Sequence, residues 1–371
     1  EFHRLYYSPS NAYFFLYGSI PTEEHLAFLE GVLAGFGRVP IDSAIRLQPR
    51  WERPRRTRDF FPIAKGDSPA RKTVVNLAWM AAENTEPEEV LLLRIVSHAL
   101  VGTAAGPLRK ALIDSGLGED LSPVTGLESD LRQVVFAVGL RGTDPDKQEA
   151  VETLALKTLE ELARTGFDRD LIEAALHQVE FHGREIVRGA YPYGITLMGR
   201  VFHTWLYDGD PLAPLRFNAL IGRIRERWRR EPGLFQDVIR RWFVDNPHRL
   251  TSVMEPSHSL LEEGEARFRQ RMAELRASLS EQDRERIREE ALRLKALQSE
   301  PDSPEALAAL PRLRRTDVPR EVERIPSEAG RADGVDVLRH EIFGNGIVSL
   351  DCAFDVSHVP EELQPWLPLL G

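Results

Sequence analysis

From Lys72 to Met80 apolar and polar side chains alternate with the two-residue period of a strand. Pro87 to Val101 then runs as an apolar helix. Pro107 suits the first turn of another helix, which the Gly116-Leu117-Gly118 stretch ends. Leu131 to Leu140 predicts a strand, with Val124 to Leu127 as its partner. Asp144-Pro145 opens a long helix that closes at Gly166, and Asp168 caps the next. Helical patterns continue to about Val244, and His248 to Met254 returns as a strand. Helices cluster between strands that need not be parallel, so the predicted class is α+β, a mixed or antiparallel sheet packed by helices.

The flanks carry weaker patterns. Glu1 to Tyr7 predicts a helix, Ser8 to Asn11 a turn, and Ala12 to Tyr17 a strand. Leu26, Leu29, Val32, Leu33 and Phe36 have helical spacing behind Pro21-Thr22-Glu23-Glu24. Four prolines and the basic run Arg53 to Arg58 make residues 49–70 a solvated linker. Past residue 255, two charged helices are predicted to form a hairpin, with Ser280 to Asp283 as break and cap. Residues 301–332 are Pro-rich and predicted to be extended. From Val335 a strand pair is expected, turning at Gly344-Asn345-Gly346, and Pro360 starts a helix. The predicted division is therefore 1–48 the end of one domain, 49–70 linker, 71–255 a complete domain, 256–300 hairpin, 301–332 connector and 333–371 the start of another domain. The chain is expected to be a piece of a longer protein.

Composition narrows the function classes. The 371 residues suffice for two domains or more, and 42% hydrophobic with 29% charged residues is ordinary for a globular protein. The net charge of −10 argues against a nucleic-acid surface. No apolar run approaches the roughly 20 residues that span a bilayer, so no membrane partner is expected. A single cysteine, Cys352, excludes an intrachain disulfide and a multi-thiolate zinc site. Its apolar setting predicts a small core residue.

Six stretches in order carry a resemblance: Glu1 to Gly18, Gly106 to Leu121, Leu162 to Glu185, Trp205 to Leu215, Pro301 to Leu313 and Asp333 to Asp355. Across them the chain resembles the pitrilysin/insulinase family of inverted-motif zinc peptidases, in its presequence-protease subfamily. The resemblance implies pitrilysin-like α/β sandwich domains, a helical hairpin joining two halves, and a zinc metalloendopeptidase as the parent protein. Such a parent degrades short unstructured peptides inside a closed chamber. This chain would supply chamber wall and hinge, with the remaining domains of the same polypeptide and the peptide substrates as its partners. A bacterial cytoplasmic protein is expected from composition and resemblance. The competing expectation is a catalytically inactive homologue acting as a binding or assembly subunit.

The family's zinc motif, His-x-x-Glu-His on a helix, is absent from the sequence. The nearest pattern is His177 to His182, a five-residue step that turns the two imidazoles ~140° apart around a helix. Zinc is thus expected in the parent, but neither a metal ligand nor a catalytic residue in this chain. His340-Glu341 reads as surface polarity and His98 as a core histidine. In related peptidases a loop and a strand edge hold the substrate's N-terminal end by strand addition. The resemblance places that site at Gly102, Thr103 and Gly106 with Leu121, Val124 and Gly126.

Overall fold

The computed structural model describes residues 1–187, 191–322 and 324–369. Its centre is a six-stranded mixed sheet of order β1-β6-β2-β5-β3, with β4 also on β5. The strands are β1 (Arg55–Pro62), β2 (Thr73–Glu83), β3 (Asp120–Leu121), β4 (Gly126–Glu128), β5 (Gln133–Thr143) and β6 (Arg249–Ser257). All pairings are antiparallel except β1 with β6.

The two-residue period decides which face is buried. Val75, Leu77 and Trp79 of β2 and Val134, Phe136 and Val138 of β5 are buried. Helices α3 (Pro87–Ser97) and α5 (Gln148–Thr165) pack against these strands, as does the π-helical turn Arg240–Val244 that follows α9 (Leu234–Ile239). Trp79, Phe136 and the fully buried Phe243 meet with ring centroids 4.8–6.1 Å apart. The Trp79 indole N–H donates to the Phe243 carbonyl at 2.9 Å, so its one polar atom is paired in the core. The helix signals act where they were placed. Gly166 closes α5 at φ +84°, and Asp168 accepts the Asp170 N–H at the start of α6 (Arg169–Arg184).

One helical stretch, Pro87–Asp114, is long and apolar enough by composition to cross a membrane, against the expectation from the sequence. It comprises α3, a π-helical turn at His98–Gly102, and α4 (Pro107–Asp114). Because 61% of its apolar window is buried inside the fold, its hydrophobicity is accounted for by the core.

The segment 49–70 is not simply a solvated linker. Its Arg55–Pro62 portion is strand β1, in parallel register with Leu250 to Ser257. Arg58 pairs with Glu255 at 2.5 Å and Arg56 with Glu152 at 2.8 Å, so the basic run meets acids of the sheet and helix layer. Arg50 donates to the carbonyls of Met80 and Ala81, fixing the approach to the edge. An arginine-rich edge strand also discourages pairing with other chains.

Trp51 stacks on buried His248 at 4.1 Å between centroids and donates its backbone N–H to His248 Nδ1 at 3.2 Å. Burial, helped by the charges of Arg50 and Arg55, pushes His248 below the usual imidazole value. A histidine depressed in the folded state stabilises the fold above its unfolded pKa of about 6.5, and that stability is lost as pH falls. Urea titrations of wild type should therefore show stability falling from pH 7 to 5, with a shallower slope in His248→Gln. Equal slopes would refute this role.

The flanks depart further from the patterns. Helices α1 (Phe2–Tyr6) and α2 (Thr22–Leu33) form as predicted. Ala12 to Tyr17 forms no strand; Tyr13 packs on Trp205 at 4.7 Å and Phe15 on Phe202 at 6.4 Å, both on α7 (Tyr193–Trp205). Its aromatic side chains are taken up by α7, and it pairs with none of the described strands. The helical hairpin is α10 (Leu260–Ser278) and α11 (Glu281–Ser299), and Ser280 and Asp283 form a reciprocal capping box between them. The Pro-rich stretch contains α12 (Pro304–Ala309). The strand pair is β7 (Glu328–Ala332) with β8 (Val335–Arg339), so it turns at Asp333-Gly334 and not at Gly344 to Gly346. Asp333 and Gly334 both have positive φ, the conformation a two-residue hairpin turn requires. Cys352 is exposed and outside any strand, contrary to the core reading. A 3₁₀ segment, Gln364–Leu369, stands where a helix from Pro360 was expected.

Candidate functional site

Where β4 faces the helices, a cavity of about 440 Å³ opens. Strand β4 is short because the chain turns immediately before it, with Gly126 at φ +132°. It pairs with Ala137 to Val135 of β5 on one side. Its other edge has no strand partner among the described residues. Thr125, Gly126 and Leu127 form this wall of the cavity. The opposite walls come from α3 and its π turn, from α6, from α7, and from α8 (Phe217–Arg230). Tight packing of α6 on α8 shapes it: a Cβ on Gly183 would lie 2.4 Å from the Phe217 ring.

The lining is apolar with polar groups of one sign. Val90, Leu91, Val179 and Leu220 supply apolar surface, while Arg94, Arg200, His98, His182 and His203 point basic groups at the same space. His98 lies over Gly102, where a Cβ would stand 2.5 Å from Nδ1, so the turn admits the imidazole only beside a glycine. His98 Nε2 is enclosed and has no hydrogen-bond partner among the described residues. Burial, then the His182 charge, holds its pKa below the usual imidazole value. His182 Nδ1 contacts the Gln178 carbonyl at 2.7 Å, and His203 Nε2 sits 2.7 Å from Asp130 at the rim.

Of the residues placed here from the sequence, the fold brings Gly102 and Gly126 to this one cavity. Gly106 is buried at the N-terminus of α4, where a Cβ would meet the Leu100 carbonyl at 2.5 Å. Leu121 is buried on β3 opposite Leu140. Thr103 and Val124 are exposed and do not line the cavity. Sequence reasoning missed His98, Arg94 and Arg200 as members of the site. The His98-to-Gly102 spacing was the available signal for the first, but the arginines are united only by topology.

Among the described residues no group of three or more His, Cys, Asp or Glu side chains could hold a metal ion. The three cavity histidines do not converge, so the residues present do not fit the zinc of the resembled peptidases.

Comparison with known proteins places the chain. Residues 1–179 match the family described as the peptidase M16 inactive domain, and residues 254–371 match the domain described as associated with subfamily C of the M16 peptidases. The chain belongs to the M16 (pitrilysin/insulinase) peptidase family, as a presequence-protease-like member without the zinc motif. It is 34% identical over 374 residues to presequence protease 1, chloroplastic/mitochondrial, of Arabidopsis thaliana, covering 100% of the chain and 34% of that protein. It is 32% identical to protein HypA of Clostridium perfringens, covering 100% of the chain and 38% of that protein. The chain thus spans about a third of the length of these relatives. A crystal structure of a protease from Helicobacter pylori shares the fold at TM-score 0.51 and 15% identity, over 69% of this chain and 57% of that one.

Proposed function

We propose that this chain is the non-catalytic wall and hinge of a zinc metalloendopeptidase that degrades short unstructured peptides in a closed chamber. Its cavity anchors one end of the substrate. The observation that carries the reading is the unpaired outer edge of β4 opening onto a mixed apolar and basic cavity beside Gly102. An extended peptide laid on that edge gains backbone hydrogen bonds whatever its sequence, which suits a protease of varied short substrates. The hairpin α10–α11 has no buried residues, as expected of a connector whose faces meet other parts of the protein.

A short fluorescent peptide should bind the chain, and its analogue N-methylated at alternate backbone amides should bind about tenfold or more weakly, because each lost N–H removes a bond the edge accepts. Equal affinities would overturn strand addition. In a separate assay the chain is expected to retain less than one zinc per molecule and to leave peptides uncut. One tightly held zinc together with hydrolysis would overturn the assignment of a non-catalytic role.

A further inference from the structure

Two guanidinium groups share the cavity without a carboxylate between them. Arg94 donates to the Ser129 hydroxyl at 3.3 Å, and Arg200 donates to the Gly183 carbonyl at 3.0 Å; both acceptors are neutral. Among the described residues neither arginine lies within ion-pair distance of an acid. Arginines of the neighbouring α8 are paired: Arg225 with Glu173 and Glu180, and Arg223 with Glu88. Asp130 acts on Arg94 from the rim, but its side chain is 73% exposed and faces His203. The protein atoms crowded around it first, and then the repulsion of Arg200, push Arg94 below the usual guanidinium value, although its side chain keeps solvent-exposed surface at the cavity mouth. All this occurs in a chain of net charge −10, so the local excess of positive charge is not a consequence of bulk composition.

Like charges gathered against apolar walls await an anion, since the walls raise the strength of any charge-assisted hydrogen bond formed there. The enclosed, unpartnered His98 Nε2 adds a donor in one neutral tautomer. We propose that the cavity formed by Arg94, Arg200 and His98 receives the carboxylate of an Asp or Glu side chain carried by the peptide bound at the β4 edge. This rests on the strand-edge reading above. Peptides with an acidic residue near the anchored end are then the preferred substrates of this site, in the midst of an acidic protein.

The experiment compares labelled peptides carrying Glu or Gln at each of the first four positions in turn, by fluorescence anisotropy on the full chain. At one position Glu should bind about tenfold tighter than Gln, and the difference should shrink as salt rises from 20 to 300 mM (roughly a threefold or greater change in screening length). In the double variant Arg94→Gln with Arg200→Gln, the ratio of Glu-peptide to Gln-peptide affinity should fall to about one, whatever the absolute affinity of the Gln peptide. Equal binding of Glu and Gln at every position, or a preference that survives in a folded double variant, overturns the inference and leaves strand addition standing. If the double variant does not fold, the wild-type preference and its salt dependence decide. Loss of the N-methylation effect overturns strand addition and this inference with it.

Discussion

Trp79→Ala is expected to lower the free energy of unfolding by about 3–5 kcal/mol, measured as a fall in urea midpoint at unchanged slope. Trp79 is fully buried at the meeting point of β2, β5 and the turn after α9. Truncation removes its contacts with Phe136 and Phe243, and the close-packed sheet and helices around it can collapse only in part. It also leaves the Phe243 carbonyl without the indole donor. Trp79→Phe separates these effects: it keeps most of the apolar volume, and its loss should be about 1–3 kcal/mol, the cost of an unpaired buried acceptor plus a small cavity. A loss below about 1 kcal/mol for Trp79→Ala would mean that this cluster is not the centre of the core.

Gly139→Ala should be nearly as damaging, about 3 kcal/mol, although it adds a single methyl group. Gly139 lies opposite Asn76 in the β2–β5 pairing. A Cβ there would stand 1.9 Å from the Val75 carbonyl oxygen and 2.6 Å from Asn76 Oδ1. The first of these is backbone and cannot swing aside, so the two central strands must separate or the register must shift. Gly199→Ala is the matched control. Gly199 lies inside α7 with nothing within 4 Å of its added Cβ, and the same change there should stabilise by about 0.5–1 kcal/mol through helix propensity. Thermal unfolding of both variants gives opposite signs on this argument; equal signs would contradict it.

The elements legible in the sequence were those whose identity is local. Val75, Leu77 and Trp79 announce a half-buried strand by period alone, and Ser280, Asp283, Gly166 and Asp168 mark helix ends by chemistry acting over a few residues. Strand β1 was illegible because nothing local makes it a strand. Its arginines and flanking prolines read as solvated, and only the distant β6 supplies its partner. The converse held for Ala12 to Tyr17, which has the composition of a strand but packs its aromatic side chains on α7 and joins no sheet. Asp333-Gly334 carried the stronger hairpin signal, yet Gly344-Asn345-Gly346 competes with it in composition. The cavity divides in the same way. Gly102 and Gly126 came from resemblance, whereas Arg94 and Arg200 become one site only when α3 and α7 are brought together.

The order of strands sets a problem for the ribosome. β6 lies between β1 and β2, but it is the last of the six to be made, with residues 84–248 intervening between β2 and it. At synthesis rates of ~5–20 residues per second, the inner edge of β2 and the whole of β1 wait on the order of ten seconds or more for their neighbour. During that interval β2 offers a long apolar strand with an unoccupied side, the kind of segment that pairs with a second nascent chain. Nascent chains that end before Arg249 are therefore the aggregation-prone species of this protein, and those a chaperone would need to hold.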